Sequence, residues 1–472
     1  MSESSWRLPA TELAHAFARG ALTPRAHLEA LLARIERLDP HVNALVHVSS
    51  DAVAAAEEST TRHRQGKASG PLDGIPVAVK DNILVRGMPT TWGSRAFQNA
   101  VSEHDELPVA RLRAAGAVVI GKTNVPEFTL EGSTTNALFG VTRNPWDLRL
   151  TPGGSSGGSV AGVAAGLFPL ALGTDGGGSI RRPASHNNVV GFKPSIGAVP
   201  RYPSLPQILL DYEVIGPIAR SVADAALLYN AIAGMDPLDR SSLAARAAPA
   251  TLRAPEHPVR MLYVPRIGDS PVDPEIADSV AAAVDVLRGI GHEVVEDELP
   301  FDVSPVTAFW PLLSQVGVAH VFARHPGAEA LAQPRFVEMA QAGRAVSAER
   351  YLAGIEAVRM FRQTVAAAFA HFDLIVMPSA AALPWPAEAL YPDTIAGREV
   401  GPRGHAVFTG WVNACGHPAL ALPCAPARNG MPIGFQLVGR YAEDALLFAI
   451  GSQYEARAPF AHRWPALVEE ER

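Results

Sequence analysis

The feature that most constrains the fold is a stretch over residues 140–200 that is rich in Gly, Ser, Pro and Asn yet contains apolar segments. One of these segments is Phe168–Leu172, and a flexible linker would not carry it. The pattern therefore predicts tight glycine turns packed against a strand, an arrangement that often holds an active site.

Strand-like and helix-like segments alternate along most of the chain. Apolar runs predict strands, and Arg260–Val264, Pro274–Gly289 and His292–Val295 together predict a βαβ unit. This alternation favours an α/β fold with a mixed sheet. The other expected strands are Ile75–Val79, Ala117–Ile120, Phe168–Leu172, Asp373–Met377, Ala419–Pro423 and Pro432–Val438, and a helix is expected over 443–456.

The N-terminal segment, 1–65, is predicted to be mainly helical. Thr23 is expected to cap a helix that has Pro24 at its first position and ends at Asp39-Pro40. A short strand over 43–48 and a helix from Ser50 are expected to follow. Residues 236–257 are rich in Ala, Pro and Arg and are expected to form a surface connection.

Composition excludes several classes of protein. The 472 residues carry a formal net charge of −7, and no basic stretch is long enough for a nucleic-acid or membrane surface. The two cysteines, Cys415 and Cys424, predict neither a disulfide framework nor a cysteine metal site. The polar N-terminus does not resemble a signal peptide, and no uncharged apolar run reaches about 18 residues. We expect a soluble cytoplasmic protein without a cofactor or a metal.

The use of lysine is unusual. Only Lys67, Lys80, Lys122 and Lys193 are lysines, so 36 of the 40 basic residues are arginine. Lysine can lose its proton and act as a base, whereas arginine cannot. Lys67 lies in a polar loop, and the other three lie in motif-like surroundings.

Residues 116–123 match the phosphate-binding pattern G-x-x-x-x-G-K-[ST] at every position. That pattern binds phosphate only as a loop that follows a strand. Here the four middle residues, Ala-Val-Val-Ile, are themselves typical of a buried strand. We therefore predict a core strand that ends in a turn, and keep a nucleotide-binding protein as a minor hypothesis.

Residues 153–157 match G-x-S-x-G with Ser155 at the centre. In α/β-hydrolases this turn follows a buried strand. The preceding residues 147–152 end in Pro152, which removes a ladder donor, and make a poor central strand. A Ser-His-Asp site is therefore not favoured.

Three other segments contain the groups that a lysine-activated serine hydrolase needs. Lys80 ends an apolar strand in Gly74–Asn82, where burial would lower its pKa and make it a base. A serine needs such a base to become a nucleophile, and serines occur in Gly153–Ser159 and at Ser179. Three glycines before Ser179 leave backbone N–H groups unhindered, as an oxyanion hole requires.

These segments resemble the amidase signature family, which is marked by a Gly/Ser-rich stretch followed by Asp-x-Gly-Gly-Ser-x-Arg. The separation between Ser155 and Ser179 along the chain is similar to that of the family. The resemblance extends along the chain through Gly121–Asn124 with Glu127-Phe128, Arg143–Trp146, Gly191–Pro194, Gly216–Arg220, Asn413–Ala419 and Gly434–Gly439.

The resemblance implies a single large domain with a central mixed sheet covered by helices on both faces. Residues 1–65 would be a helical segment packed on an amidase core over 66–472, with 236–380 as a variable region that forms the substrate pocket. Ser179 would be the nucleophile, Ser155 a bridging serine after a cis peptide bond from Gly154, and Lys80 the final base. Backbone N–H groups of Gly176, Gly177, Gly178 and Ser179 would hold the oxyanion, and Asp175, Arg181 and Ser156 would support the site.

Each of these residues also has a structural interpretation. Lys80 could pair with an acid such as Asp81, Ser155 could satisfy a turn, and Ser179 could cap a helix. We expect Lys122 and Lys193 to be structural, His186 and His417 to pack or line the pocket, and Cys415 not to be a nucleophile. To act as a base near neutral pH, Lys80 needs a pKa about 3 below its ordinary value of roughly 10.4.

The chain departs from the common family pattern at two places. Ser185-His186-Asn187-Asn188 stands where a glycine is usual near Asn188 and a bulky apolar residue near His186, and Gly176 stands where a branched residue is frequent. Both departures concern the local backbone and the pocket shape. By resemblance, Leu130, Glu131 and residues 304–323 are candidates for lining the pocket.

The predicted function is cleavage of a small-molecule carboxamide to a carboxylate and ammonia or an amine through a seryl acyl-enzyme. The alternative is the amidase subunit of an aminoacyl-tRNA amidotransferase, which needs protein partners and tRNA. For the main hypothesis we expect a small-molecule amide as the ligand, with neither nucleic acid nor a membrane as a partner. Whether the protein is a homodimer stays open.

Overall fold

Eleven strands form one mixed sheet in the computed structural model, which describes residues 5–245 and 247–469. Their order across the sheet is β1-β3-β2-β6-β8-β7-β14-β15-β11-β9-β10, and two short hairpins, β4-β5 and β12-β13, lie outside it. The strands are β1 (Leu45–Val48), β2 (Pro76–Lys80), β3 (Val118–Thr123), β4 (Thr135–Asn136), β5 (Gly140–Val141), β6 (Leu170–Asp175), β7 (Val190–Lys193), β8 (Val214–Ala219), β9 (Arg260–Tyr263), β10 (Glu293–Glu296), β11 (Leu374–Pro378), β12 (Thr394–Ile395), β13 (Arg398–Glu399), β14 (Ala419–Pro423) and β15 (Gly434–Gly439).

The sheet places the ends of two predicted motif strands side by side. β2 runs parallel to β3 on one side and to β6 on the other, whereas β6 pairs antiparallel with β8. Parallel neighbours end at the same edge of a sheet. Lys80 at the end of β2 and Asp175 at the end of β6 therefore lie at one edge.

Both faces of the sheet are buried. In β2, Val77 and Val79 belong to one hydrophobic cluster and Ala78 to another, and all three are fully buried. β11 alternates in the same way, with Val376 in the first cluster and Met377 in a third. Because alternate side chains of a strand point to opposite faces, this pattern confirms a sheet covered on both sides.

Helices supply the two outer layers. They are α1 (Ala10–Ala18), α2 (Pro24–Val42), α3 (Ala52–Arg64), α4 (Leu107–Ala114), α5 (Gly157–Ala164), α6 (Arg181–Asn187), α7 (Val222–Ile232), α8 (Arg240–Ala245), α9 (Pro274–Gly289), α10 (Ser304–Arg324), α11 (Ala328–Leu331), α12 (Pro334–Arg344), α13 (Ala348–Ala368), α14 (Gly410–Cys415), α15 (Asp444–Arg457) and α16 (Ala466–Glu469). Short 3-10 helices occur at Ser5–Arg7, Arg95–Phe97, Glu127–Thr129, Leu210–Tyr212 and Gly404–Ala406.

Helix α2 begins as predicted but does not end at Asp39-Pro40. The Thr23 side chain accepts a hydrogen bond from the Ala26 N–H, and the helix continues through Pro40 to Val42. Pro40 lies in the last turn, and the Asp39 carboxylate accepts hydrogen bonds from the N–H groups of Ala44 and Leu45 beyond the helix end. The proline is therefore tolerated, because the chain leaves the helix shortly after it.

The predicted βαβ unit is confirmed. β9 and β10 pair in parallel, and α9 spans the predicted residues between them. The phosphate-pattern residues also form a strand: Val118 to Thr123 make up β3, with every residue buried. The division of the chain at residue 65 stays a prediction.

Among the described residues, only α10 combines the length and mean hydropathy of a possible membrane span. Its residues Phe309, Leu313, Val318 and Val321 are buried in the third hydrophobic cluster. Buried core helices of this kind meet the same criteria of length and hydropathy.

Candidate active site

Lys80 and Ser155 lie in direct contact. Lys80 is the last residue of β2 and is fully buried, and its Nζ donates to Ser155 Oγ at 2.8 Å. Nζ also donates to Thr174 Oγ1 at 2.8 Å and to the Thr174 carbonyl oxygen at 3.3 Å. One bond joins the amine to the Gly/Ser-rich segment and two join it to the end of β6, so the amine is fixed between parts of the chain that are distant from Lys80 in the sequence.

Burial governs the charge state of Lys80. Loss of hydration disfavours the ammonium form and lowers the pKa of Lys80 to about 7, although the carboxylates of Glu213 and Asp175 act in the opposite direction. Asp81, the acid next to it in sequence, pairs instead with Lys122 at 3.0 Å. A substantial neutral fraction of Lys80 therefore exists near pH 7.

The two serines of the Gly/Ser-rich segment have different surroundings. The Gly154–Ser155 peptide bond is cis. Ser156 precedes α5, donates from Oγ to the Thr174 carbonyl at 3.1 Å, and donates from its backbone N–H to the Ser179 carbonyl at 3.2 Å. Ser155 thus faces the amine, while Ser156 joins the segment to the loop that carries Ser179.

Ser179 lies beside this pair and opens into a cavity. Its residue is 8% exposed, compared with 1% for Ser155. Among the hydrogen bonds of the described residues, none joins the Ser155 and Ser179 side chains. The structure therefore brings Lys80 and Ser155 into hydrogen-bond contact, and brings Ser179 close through the backbone of Ser156.

Asp175 and Arg181 brace the loop between them, as the sequence predicts. Both are fully buried, and Arg181 Nε lies 3.0 Å from Asp175 Oδ2. The carboxylate also accepts from the Gly178 N–H at 2.6 Å and the Ile180 N–H at 3.1 Å. Burial alone would raise the pKa of Asp175, but Arg181 and the Asn413 amide hold it well below its usual range.

The glycine loop leaves three N–H groups available. Gly178 donates to Asp175, whereas the N–H groups of Gly176, Gly177 and Ser179 take part in none of the hydrogen bonds found in the described chain. A Cβ at Gly177 would lie 2.4 Å from the Trp310 ring, and one at Gly178, where φ is +108°, would lie 2.3 Å from Thr409 Oγ1. Side chains at either position would disrupt the loop.

The two departures from the common pattern are accommodated locally. A Cβ at Gly176 would lie 2.7 Å from Leu209 Cδ1, so Leu209 fills the space of the missing side chain. Asn188 adopts φ 57°, a conformation that asparagine tolerates better than most residues, and its amide donates to the Phe460 carbonyl at 3.0 Å. His186 is buried against Trp385 and bonds the Ala382 carbonyl at 3.1 Å.

The remaining candidates have structural surroundings. Lys193 donates to the Pro194 carbonyl at 2.7 Å. His417 bonds the Gly439 carbonyl at 2.8 Å and stacks on Phe369. Burial raises the pKa of the Cys415 thiol to about 11, which disfavours the thiolate. No group of three or more His, Cys, Asp or Glu within the described ranges is arranged to hold a metal ion.

A cavity of about 650 Å³ opens above Ser179. Its size suits a small ligand of drug-like dimensions. It contains the predicted pocket residues Leu130 and Glu131, and α10 contributes Trp310, Pro311, Ser314 and Gln315 from the predicted 304–323 region. The remaining lining residues include Gly176, Gly177, Arg182, Leu209, Glu213, Met339, Tyr391, Arg403 and His405.

Comparison with known proteins identifies the family. The family model described as Amidase matches residues 26–448. The chain belongs to the amidase signature family. It is therefore an amide-hydrolysing enzyme, with the α/β fold of its relatives.

The proteins that this amidase is similar to are named for different activities. The A subunit of glutamyl-tRNA(Gln) amidotransferase from Cyanothece sp. is 36% identical, with 92% of this chain and 95% of that protein covered. The solved structure of a 6-aminohexanoate cyclic dimer hydrolase complexed with substrate is 29% identical with a TM-score of 0.89, covering 98% of this chain and 99% of that one. A bacterial aryl acylamidase structure is 28% identical with a TM-score of 0.87, and 98% of each chain is covered.

Several residues of the candidate site were not singled out from the sequence. Thr174 holds Lys80, and Asn413 donates to both the Asp175 carboxylate at 2.9 Å and its carbonyl at 2.8 Å. Asn413 lies in a segment that resembles the family, which is the signal that could have identified it. Arg403 and His405 lie in a stretch without a motif, and only the fold brings them to the cavity.

Proposed function

We propose that Ser179 is the nucleophile of this amidase, activated through Ser155 by neutral Lys80. The observation that carries the proposal is the 2.8 Å contact between Lys80 Nζ and Ser155 Oγ, together with a pKa of Lys80 lowered to about 7 by burial. A neutral amine at that distance can take the Ser155 proton while Ser155 takes the proton of Ser179.

The reaction would proceed through an acyl-enzyme. Ser179 Oγ attacks the amide carbon, and the N–H groups of Gly176, Gly177 and Ser179 stabilise the oxyanion. Gly178 is left out of this set because its N–H donates to Asp175 at 2.6 Å. The amine leaves with a proton returned through Ser155, and water then attacks the ester and releases the carboxylate.

Alanine substitutions of Ser179 and Ser155 test the mechanism, with the same substitution of Ser156, the neighbour of Ser155, as the control. We expect Ser179→Ala and Ser155→Ala each to lower kcat by at least about a thousandfold on any amide the enzyme cleaves, because members of a catalytic unit act together. Ser156→Ala is the matched control and should retain most activity, since Ser156 Oγ bonds only the Thr174 carbonyl among the described contacts. Full activity of Ser179→Ala would refute the proposed nucleophile.

The natural substrate has two candidates. Hydrolysis of a small-molecule carboxamide by the chain alone is compatible with the cavity of about 650 Å³ and with the two hydrolase structures. An amidase subunit of an aminoacyl-tRNA amidotransferase is the alternative, and the curated relatives at 35–36% identity favour it.

The purified chain distinguishes the two candidates. Activity is measured on aliphatic, aryl and amino-acid amides, with glutamine among them, and partner proteins are sought by co-purification from the native source. Turnover of simple amides by the isolated chain supports the first candidate. Glutamine hydrolysis that requires co-purified partner proteins supports the second.

A further inference from the structure

The charged side chains of the cavity are unevenly paired. Glu131 pairs with Arg335 at 3.2 Å, and Glu213 pairs with Arg201 at 2.6 Å. Arg182 and Arg403 line the same cavity, and neither takes part in any ion pair within the described chain. Both acids therefore have a cationic partner, whereas both arginines lack an anionic one among the described residues.

Arg182 lies next to the reacting groups. It is 5% exposed and donates to the carbonyls of Gly177 at 3.2 Å and Gly154 at 3.3 Å. Its Nε has no hydrogen-bond partner in the part of the chain that the structure describes. A buried cation without a counter-charge is unfavourable, because burial removes hydration that carbonyl oxygens only partly replace. An anionic group of a bound ligand would supply the missing counter-charge.

Arg403 also lines the cavity, from a part of the chain that is far from Arg182 in the sequence. Its guanidinium lies over the Trp310 ring at 4.0 Å from the ring centre. The edge of Trp310 in turn covers Gly177, whose carbonyl accepts from Arg182. Arg403 is exposed to the cavity, so stacking on Trp310 orients its planar face while its N–H groups stay available.

His405 adds an unused polar group to the same wall. It is 3% exposed, and neither ring nitrogen has a hydrogen-bond partner within residues 5–245 and 247–469. Burial, reinforced by Arg182 and Arg403, holds the pKa of His405 well below its ordinary value. A neutral imidazole retains one N–H donor, which is suited to an acceptor oxygen of a ligand.

We propose that Arg182, Arg403 and His405 form a carboxylate-binding subsite, so that the amide substrate of this enzyme carries a carboxylate. The inference rests on the proposed function for the reaction itself and adds the chemical class of the substrate. A guanidinium matches the two oxygens of a carboxylate, and hydrogen bonds to charged groups contribute about 1.5–3 kcal/mol. This corresponds to a preference of roughly 10- to 150-fold over a neutral analogue.

Binding is tested first, because it does not require turnover. Linear dicarboxylates from succinate to adipate and the corresponding neutral diamides are titrated by calorimetry into Ser179→Ala, in which the diamides should not be hydrolysed, and into the same protein carrying Arg403→Gln or Arg149→Gln in addition. Arg149 is the control because its side chain is 88% exposed and paired with Asp147. We expect at least one dicarboxylate to bind tenfold or more tightly than its diamide, with Arg403→Gln abolishing this preference and Arg149→Gln retaining it.

Turnover is tested with matched substrates. The mono-4-nitroanilide of the dicarboxylate that binds most tightly is compared with the 4-nitroanilide of the neutral monocarboxylic acid of the same length. Arg403→Gln should lower the ratio of kcat/KM on the anionic substrate to kcat/KM on the neutral substrate by about 10- to 150-fold, mainly through KM on the anionic substrate, whereas Arg149→Gln should keep the wild-type ratio. Arg403→Lys should restore part of the loss.

The outcomes separate this inference from the proposed function. Arg403-dependent binding of a dicarboxylate without amide turnover would support the subsite and count against the mechanism. Amide turnover with equal rates on the charged and neutral substrates would overturn the subsite and leave the mechanism in place. Failure of every dicarboxylate to bind better than its diamide would also overturn it.

Discussion

At the scale of single residues, the chemistry depends on an amine that burial keeps partly uncharged. The ammonium form of Lys80 has no free electron pair, so only the neutral form can accept the Ser155 proton. Because burial lowers the pKa of Lys80 to about 7, the neutral fraction rises as pH increases through 7. We predict that kcat/KM rises with pH on the acid side, with a midpoint near pH 7.

The measurement is kcat/KM on a non-ionising amide from pH 5 to 9. Lys80→Met and Lys80→Arg should both lose activity over the whole range, because neither side chain can accept the proton. Lys67→Met, at an exposed loop lysine, should reproduce the wild-type profile. A flat wild-type profile over this range would exclude Lys80 as the base.

The sequence predicts the residues of the site that lie in recognisable motifs, Lys80 and Ser155 among them, and not those that lie outside a motif. The Asp175–Arg181 pair is recognisable because both residues lie within one short motif, and it is found at 3.0 Å. Arg403 and His405 have no such signal, since their positions depend on where the chain returns to the cavity, far along the sequence from Ser179. Only the folded structure shows that Arg403 has no ion-pair partner and His405 no hydrogen-bond partner among the described residues.

At the scale of elements, the position of Ser155 and Ser156 depends on how closely α5 approaches its neighbours. Every residue of α5 is buried, and the helix begins with Gly157-Gly158. A Cβ at Gly158 would lie 2.4 Å from the Asn124 nitrogen and 2.5 Å from the Ala44 oxygen. Both contacts are with backbone atoms, which cannot rotate away.

We predict that Gly158→Ala destabilises the protein by about 1–3 kcal/mol, the usual cost of overpacking, and lowers activity by shifting the serine segment. Gly289→Ala is the control, because Gly289 ends α9 at the surface with nothing within 4 Å of the added Cβ. It should be neutral or stabilising by up to about 1 kcal/mol. Urea unfolding measures both, and equal stabilities would contradict the close packing of α5.

Elements with regular patterns are predicted well, and those with interruptions are not. α9 and β14 have the predicted bounds, because in both the spacing of the apolar residues and the residues at the two ends indicate the same element. β8 contains Gly216-Pro217, which normally argues against a central strand, yet it lies between β6 and β7. Gly216 is required there, because a Cβ would lie 2.0 Å from the Phe192 oxygen.

At the scale of the whole molecule, the sequence predicts a mixed sheet but not the order of its strands. Neighbours such as β7 and β14 lie far apart in the sequence, and their antiparallel register pairs Phe192 with Leu420. Such pairings arise from packing among three hydrophobic clusters that share the sheet. A single chain contains no local signal for them.

The same packing buries several histidines in neutral form. Burial lowers the pKa of His27, His186 and His417 to about 4, and that of His405 well below its ordinary value. Since the unfolded values are about 6.5, the unfolded chain binds more protons than the folded chain between about pH 4 and 6.5. Each such proton lowers the free energy of unfolding by about 1.4 kcal/mol per pH unit as pH falls.

Carboxyl groups whose pKa is raised by burial oppose this trend, namely Asp39, Glu106, Glu131, Asp224, Asp444 and Glu455. Burial raises the pKa of Asp39 to about 6 and that of Glu455 to about 7, so the folded chain holds these protons more tightly and gains stability as pH falls. The contribution of each buried histidine has a definite sign, because the unfolded chain takes up the proton that the folded chain does not. We therefore predict that each of them lowers the free energy of unfolding as pH falls from 6.5 to 5.5.

A single replacement isolates the contribution of one histidine. His27 is fully buried and bonds Ser5 Oγ at 2.9 Å, so His27→Asn removes a titrating group while keeping a polar side chain. Urea unfolding at pH 5.5, 6.0, 6.5 and 7.5 should give a weaker pH dependence for this variant, by up to one proton. His257→Asn, at an exposed position, should keep the wild-type slope. Identical slopes for all three proteins would mean that His27 is protonated equally in the folded and unfolded chains, contrary to the burial that the structure gives it.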